Sequence, residues 1–300
     1  MSKHAVALVA GIAVATPALA QNLDYSTAVG LSYTSFNAEG ENADGISLFS
    51  ETELRFGQFS ADFDLGFDTL KDDGAELRNF SMALAPRYWV TDTIGLGVYV
   101  ARDSIDADVG DIVNLDSYGI EATFRNAVFE GNLFVGQTDL DELSGIVDVT
   151  DLGFRVRADL GDQASLWGSG VRSTFEAGGD SLHASSFGVG ADFAFTDTVS
   201  GFVSYRQSSV DDADISLDTT GFGLSYTATV GSRPVVFSGE YAKVSGDDLV
   251  TGLEGERLSI GATLLLGDAR RKRTPGHTVS SSVLNGERSA LSGLLGGVGF

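Results

Sequence analysis

The chain has 300 residues, of which 43% are hydrophobic, enough for one large domain or two of ordinary size. Its formal net charge of −23 excludes a nucleic-acid binder, because phosphate would be repelled. With no cysteine, the chain has neither disulfides nor thiolate metal sites. The 38 glycines, 19 phenylalanines and only 4 prolines favour many strands over helices.

Residues 1–20 have the pattern of a secretory signal peptide. Lys3 supplies the positive start, residues 5–15 the apolar stretch, and Ala18-Leu19-Ala20 an A-x-A cleavage site. The apolar stretch is too short to span a bilayer as a helix. We therefore expect a mature chain that begins near Gln21 and leaves the cytoplasm.

From Tyr25 onward, apolar and polar residues alternate in repeated stretches. Side chains of a strand point to opposite faces in turn, so this alternation predicts strands with one apolar and one polar face. The second stretch shows the pattern: Phe59, Ala61, Phe63, Leu65 and Phe67 alternate with Ser60, Asp62, Asp64, Gly66 and Asp68.

Short turns separate many of these strands at a steady interval. They begin at residues 57, 91, 125, 161, 196, 231 and 267, a spacing of 34 to 36 residues that is typical of a repeated unit. Longer polar loops, for example 37–45, 102–114, 137–148 and 207–218, fall between them. Seven hairpins therefore predict about 14 strands between residues 24 and 267.

The polar face carries full charges in the middle of strands, which a dry core would not tolerate. Short and long connections alternate, strands of 10 to 13 residues suit a tilted crossing, and aromatic residues lie near strand ends. We therefore predict that the apolar face meets lipid; a soluble secreted β-protein is the alternative. The residues predicted to line the lumen are Glu51, Glu53, Arg55, Asp62, Asp64, Arg87, Glu121, Glu130, Arg155, Arg157, Asp159, Asp192, Arg206, Glu240 and Arg257.

The segment 259–266 reads polar, any, Gly, any, any, apolar, any, apolar. With the hairpin repeat, it gives residues 21–267 a resemblance to Gram-negative outer-membrane β-barrels, most of all to small porin-like proteins of alphaproteobacteria. The resemblance implies an all-β transmembrane antiparallel up-and-down barrel in the cell outer membrane. It also implies three partners: lipid with lipopolysaccharide, the barrel-assembly machinery and, optionally, further copies of the chain. Ser259, Gly261, Leu264 and Leu266 would form the assembly signal.

Nine acidic residues and seven arginines, Arg125 included, have the parity of the predicted lumen. Since charged rings set ion selectivity, they favour a narrow channel for small hydrophilic solutes or ions with mild cation preference. A non-conducting structural or adhesive barrel is the alternative. The acidic residues assigned to long loops, such as Asp103, form either a solvated rim or a Ca²⁺ or Mg²⁺ site that bridges to lipopolysaccharide.

Residues 268–300 depart from the resemblance, in which the last strand usually ends the chain with an aromatic residue. Five basic and two acidic residues give this tail a net charge of +3, with a basic cluster at 270–273. We expect a flexible periplasmic extension. Two alternatives are a basic cluster that enters the acidic mouth and reduces conductance, and a rival last strand that ends at Phe300.

Enzymatic chemistry has little support in the sequence. His183 is the one histidine of the predicted barrel, and it lies near Ser181 and Ser185. Asp180 is also close in sequence, but a lone histidine beside serines at the edge of a strand and a loop is usually a polar rim residue, and no serine motif supports a nucleophilic site. We expect no catalytic residues, no cofactor and no metal site.

Overall fold

The computed structural model describes residues 23–38, 41–72, 76–107, 113–141, 146–211, 215–247, 254–267 and 278–297. The predicted signal peptide, the basic cluster at 270–273 and Phe300 lie outside them. Within these ranges, two short helices, α1 (Val279–Asn285) and α2 (Ala290–Gly297), follow fourteen strands. The strands are β1 (Asp24–Ala38), β2 (Glu41–Phe56), β3 (Phe59–Lys71), β4 (Glu76–Trp89), β5 (Ile94–Ala107), β6 (Val113–Arg125), β7 (Phe129–Leu140), β8 (Asp148–Leu160), β9 (Ala164–Ala177), β10 (Asp180–Ala194), β11 (Val199–Val210), β12 (Ile215–Val230), β13 (Arg233–Asp247) and β14 (Glu254–Gly267).

The strands form one closed barrel. Each strand pairs antiparallel with its neighbours in the chain, and β14 closes the sheet on β1 with Ser26 opposite Gly267. The prediction of about 14 strands in an up-and-down barrel is therefore confirmed. Neither described helix is long and apolar enough to cross a membrane.

The outer surface of the barrel is apolar, and the inner surface is polar. On β7, the outward side chain of Leu133 is 65% exposed, whereas the inward Asn132 is 7% exposed. Such a continuous apolar exterior is typical of a barrel whose outer face meets lipid. An outward aromatic band surrounds the end with the short turns: Phe56, Phe59, Tyr88, Phe124, Phe129, Phe193, Phe195 and Tyr226.

The strands extend further than the sequence predicts. Observed strands have 12 to 16 residues, so the long connections are shorter than the predicted loops. β1 and β2 are separated by residues 39–40 alone, not by a loop over 37–45. The predicted turns at Gly57, Gly161 and Gly231 are present, and each glycine has a positive φ (58°, 71° and 65°). A polar strand can continue beyond the membrane, because water satisfies its side chains there.

Candidate functional site

The interior of the barrel contains the described part of the tail. We call residues 278–297 the tail segment. Both of its helices lie against the inner face of β9–β12, which we call the seat wall. This location differs from the expected flexible periplasmic extension, because side chains of the seat wall bind the tail segment.

Helix α1 is held at both ends. Thr278 caps its start by accepting a hydrogen bond from the backbone N–H of Ser281 (3.0 Å). The Glu240 carboxylate accepts further bonds from the N–H groups of Val279 (2.9 Å) and Ser280 (3.4 Å). Beyond its end, the Arg155 guanidinium donates to the carbonyl of Asn285 (2.8 Å).

Helix α2 begins on the seat wall. The Ser173 hydroxyl accepts a hydrogen bond from the backbone N–H of Ala290 (2.8 Å). Arg206 donates to the carbonyl of Gly293 and lies 3.5 Å from a carboxylate oxygen of Glu287. Ala290 and Leu294 also pack into a small apolar cluster with Tyr99 and Phe134. Polar and apolar contacts therefore both fix the segment.

The centre of the charge network is Glu121, whose side chain is fully buried. Arg87 (2.6 Å), Arg288 (2.8 Å) and Arg155 (3.6 Å) approach its carboxylate. Arg288 also lies over the rings of Tyr99 (4.1 Å) and Phe134 (4.9 Å). Burial and next the charge of Arg155 lower the pKa of Arg288 to about 10, against the attraction of Glu121. The guanidinium therefore stays charged at neutral pH.

A second charged cluster lies near the short turns. The guanidinium of Arg125 contacts Glu130 (2.7 Å) and Glu53 (2.9 Å). Together with Arg55 and Arg87, it lies 5.3 to 5.8 Å from the ring of Trp89. Each of these arginines has a carboxylate or aromatic partner, and these partners offset the repulsion between the neighbouring guanidinium groups.

Beside the tail segment lies a cavity of about 1010 Å³. Its lining comes from β1–β8, β14 and the tail segment, with the connection after β6. We call the inner face of β2–β8 the charged wall. Ten carboxylates and seven guanidinium groups line the cavity, so its lining has a net charge of −3.

All fifteen residues of the lumen prediction lie on the inner face of the barrel. Arg206, Glu240 and Glu121 each bind the tail segment. Asp192 is buried on β10. The other eleven line the cavity: Glu51, Glu53, Arg55, Asp62, Asp64, Arg87, Glu130, Arg155, Arg157, Asp159 and Arg257.

Sequence reasoning missed several interior residues. Asp103, assigned to an outer loop, lies inside on β5 and accepts a hydrogen bond from Ser292 (2.7 Å). Its inward parity, shared with Tyr99, was the available signal. Nothing local in the sequence marked Arg288 as an interior residue.

The predicted assembly signal lies on β14, the last strand of the barrel. Its four residues, Ser259, Gly261, Leu264 and Leu266, all pair with residues of β1. The hydroxyl of Ser259 also forms a hydrogen bond with the hydroxyl of Thr34 (2.9 Å). His183 bonds the hydroxyl of Thr174 through Nδ1 (3.2 Å). Within the described ranges, no group of three or more His, Asp or Glu side chains could hold a metal ion.

No protein-family model matches the chain, and no curated protein matches it. Similar solved structures include an anion-selective porin from Comamonas acidovorans (12% identity, TM-score 0.54, covering 82% of this chain and 99% of that one). The outer membrane channel DcaP of Acinetobacter baumannii (10%, 0.54, 81% and 97%) and the CymD monoaromatic hydrocarbon channel (10%, 0.51, 82% and 89%) are also similar. At these identities, the likeness shows the fold, which is that of outer-membrane β-barrels.

Proposed function

We propose that the chain is an outer-membrane channel for the passive diffusion of small hydrophilic solutes or ions. The observation that carries this proposal is the polar cavity of about 1010 Å³ beside the tail segment. A cavity of this size, lined by charged groups, holds water rather than apolar side chains. Insertion through β14 by the barrel-assembly machinery, and contact with lipopolysaccharide, belong to the same proposal.

Mild cation preference is the finer part of the proposal. The cavity lining has an excess of three negative charges, and charged linings set ion selectivity. The Comamonas porin is described as anion-selective, so the likeness in fold does not support a preference for cations. The support for cations therefore comes from this chain's own lining residues.

Single-channel recording tests the function. The full mature chain is inserted into a planar bilayer that separates two salt concentrations. We expect steady conductance with a reversal potential whose sign shows that cations cross more readily than anions. A reversal potential of the opposite sign would remove the cation preference, and silence from folded protein would remove the channel function.

A non-conducting structural or adhesive barrel is the second candidate. The observation in its favour is the tail segment, which occupies part of the lumen along the seat wall. Silence of the full chain, combined with binding of the folded protein to a surface partner through the acidic loops, would support this candidate.

A further inference from the structure

We propose that the tail segment is the constriction of this channel, which fixes its bore and, through Arg288, its charge selectivity. This inference rests on the proposed channel function. Eight of its residues line the cavity: Thr278, Ser281, Ser282, Leu284, Asn285, Gly286, Glu287 and Arg288. A solute that crosses the barrel therefore passes between the tail segment on one side and the charged wall on the other.

The seat wall is shaped to receive the segment. Small hydroxyl side chains bring it close: Ser204 bonds the hydroxyl of Ser280 (3.0 Å), and Ser169 donates to the carbonyl of Val283 (2.7 Å). At Gly188, an added Cβ would lie 2.7 Å from a methyl of Val283, so only glycine leaves room for that side chain. A loosely placed tail would show neither the hydrogen bonds nor the steric match.

The segment also reaches across the lumen to the charged wall. Asn285 donates to the carboxylate of Glu51 on β2 (2.8 Å), and Arg288 donates to Glu121 on β6 (2.8 Å). It is therefore bound on two sides of the barrel, and the cavity is what remains of the lumen. This arrangement lets twenty residues reduce the open cross-section, and the described part of the barrel contains no long inward loop.

The tail segment adds two charged side chains to the cavity lining, Glu287 and Arg288. Glu287 lies 3.5 Å from the guanidinium of Arg206 on the seat wall, so Arg288 is the charge that the segment turns towards the charged wall. Glu121 already has Arg87 and Arg155 as partners, so it does not need Arg288 for neutralisation. The third guanidinium therefore adds positive charge beside the acidic lining and moderates its preference for cations. Arg288 acts here as a selectivity-determining residue.

A disulfide tests the location of the segment. The chain has no cysteine, so Ser204→Cys with Ser280→Cys introduces a single pair, at positions whose hydroxyl oxygens are 3.0 Å apart. We expect this pair to form a bond upon oxidation of the folded protein in lipid, detected by mass and by peptide mapping. Ser117→Cys with Ser280→Cys is the control, because Ser117 lies on β6 and bonds Thr138 instead. Equal yields from both pairs, or none from the first, would overturn the inference.

Conductance tests the constriction itself. Deletion of residues 278–300 should raise single-channel conductance by roughly twofold or more, because the part of the lumen that the tail segment occupies would fill with water. The oxidised Ser204→Cys and Ser280→Cys protein should keep the low conductance of the full chain. If full and shortened chains conduct equally, the constriction fails and the channel function remains. If neither conducts, the channel function fails as well.

Selectivity tests the role of Arg288 without removing the segment. Arg288→Gln should shift the reversal potential further towards cations, while the conductance changes by less than it does in the deletion. Arg102→Gln is the matched control, because it makes the same charge change at an exposed pair with Asp116. Equal shifts in the two variants would assign the effect to total charge and overturn the role of Arg288.

Discussion

The two sides of the lumen differ in what they present to the interior. The charged wall carries eleven of the fifteen ionisable residues predicted for the lumen, and β9–β14 carry the other four. Apart from Asp192 and Arg206, the polar groups that the seat wall presents are mostly small. Its buried serine and threonine residues are Ser165, Ser169, Ser173, Ser186, Ser204, Ser208, Thr219 and Ser225.

This difference decides which side binds the tail segment. Small side chains let a helix backbone approach closely, and their hydroxyls satisfy its carbonyl and N–H groups, as Ser169 and Ser173 do. Long charged side chains project further and keep their hydration, so a helix packed against them would strip water from charges. The division of the wall therefore explains both the dry seat and the wet cavity.

The largest effect should come from the charged wall. Glu121→Gln leaves Arg87, Arg155 and Arg288 facing a neutral amide, and an uncompensated buried charge costs about 3–5 kcal/mol. We expect a fall of that size in the unfolding free energy, measured by urea titration in lipid. Glu130→Gln is the control, because Glu130 is 41% exposed and its pair should contribute about 0–1 kcal/mol. If both variants lose the same unfolding free energy, the Glu121 carboxylate contributes no more to stability than the carboxylate of a solvated ion pair.

The exterior should not share the asymmetry of the interior. Leu133 on β7 and Leu224 on β12 are 65% and 60% exposed to the proposed lipid side. An arginine near the bilayer midplane costs about 2–4 kcal/mol, so Leu133→Arg and Leu224→Arg should reduce the unfolding free energy by similar amounts. No loss in either variant would argue against a lipid-facing exterior. A loss on one side alone would extend the asymmetry to the outer surface.

The walls, but not the tail, could be predicted from the sequence. Period-two alternation is local, so it gave the strand number and the inward side of all fifteen charged residues. The tail segment has Gly286 and Gly293, which weaken a helix, and its structure depends on Glu240 and Ser169 in distant strands. The usable signal was the clustering of small residues on β9–β12, because it marks where another part of the chain can approach.

Gly188→Val tests the fit of the seat. The added side chain would occupy the space of Val283, and overpacking of this kind costs about 1–3 kcal/mol. We expect a lower unfolding free energy together with a conductance closer to that of the shortened chain. Gly239→Val is the control, since the nearest atom to its added Cβ is 3.8 Å away. A full-chain conductance for Gly188→Val would mean that the segment stays seated by its other contacts.

The smallest changes in unfolding free energy should distinguish a hydrogen bond at the dry seat wall from one beside the water-filled cavity. Ser169→Ala removes the donor to the Val283 carbonyl at a buried site, where an unsatisfied acceptor costs about 1–3 kcal/mol. Asn285→Ala removes a bond of similar length to Glu51, but both residues line the cavity, where water replaces the lost donor. The loss there should stay near 0.5 kcal/mol, the lower end for a hydrogen bond. Both values come from urea titration in lipid. Equal losses would mean that water reaches both walls alike, and the division into a dry seat and a wet cavity would then not hold.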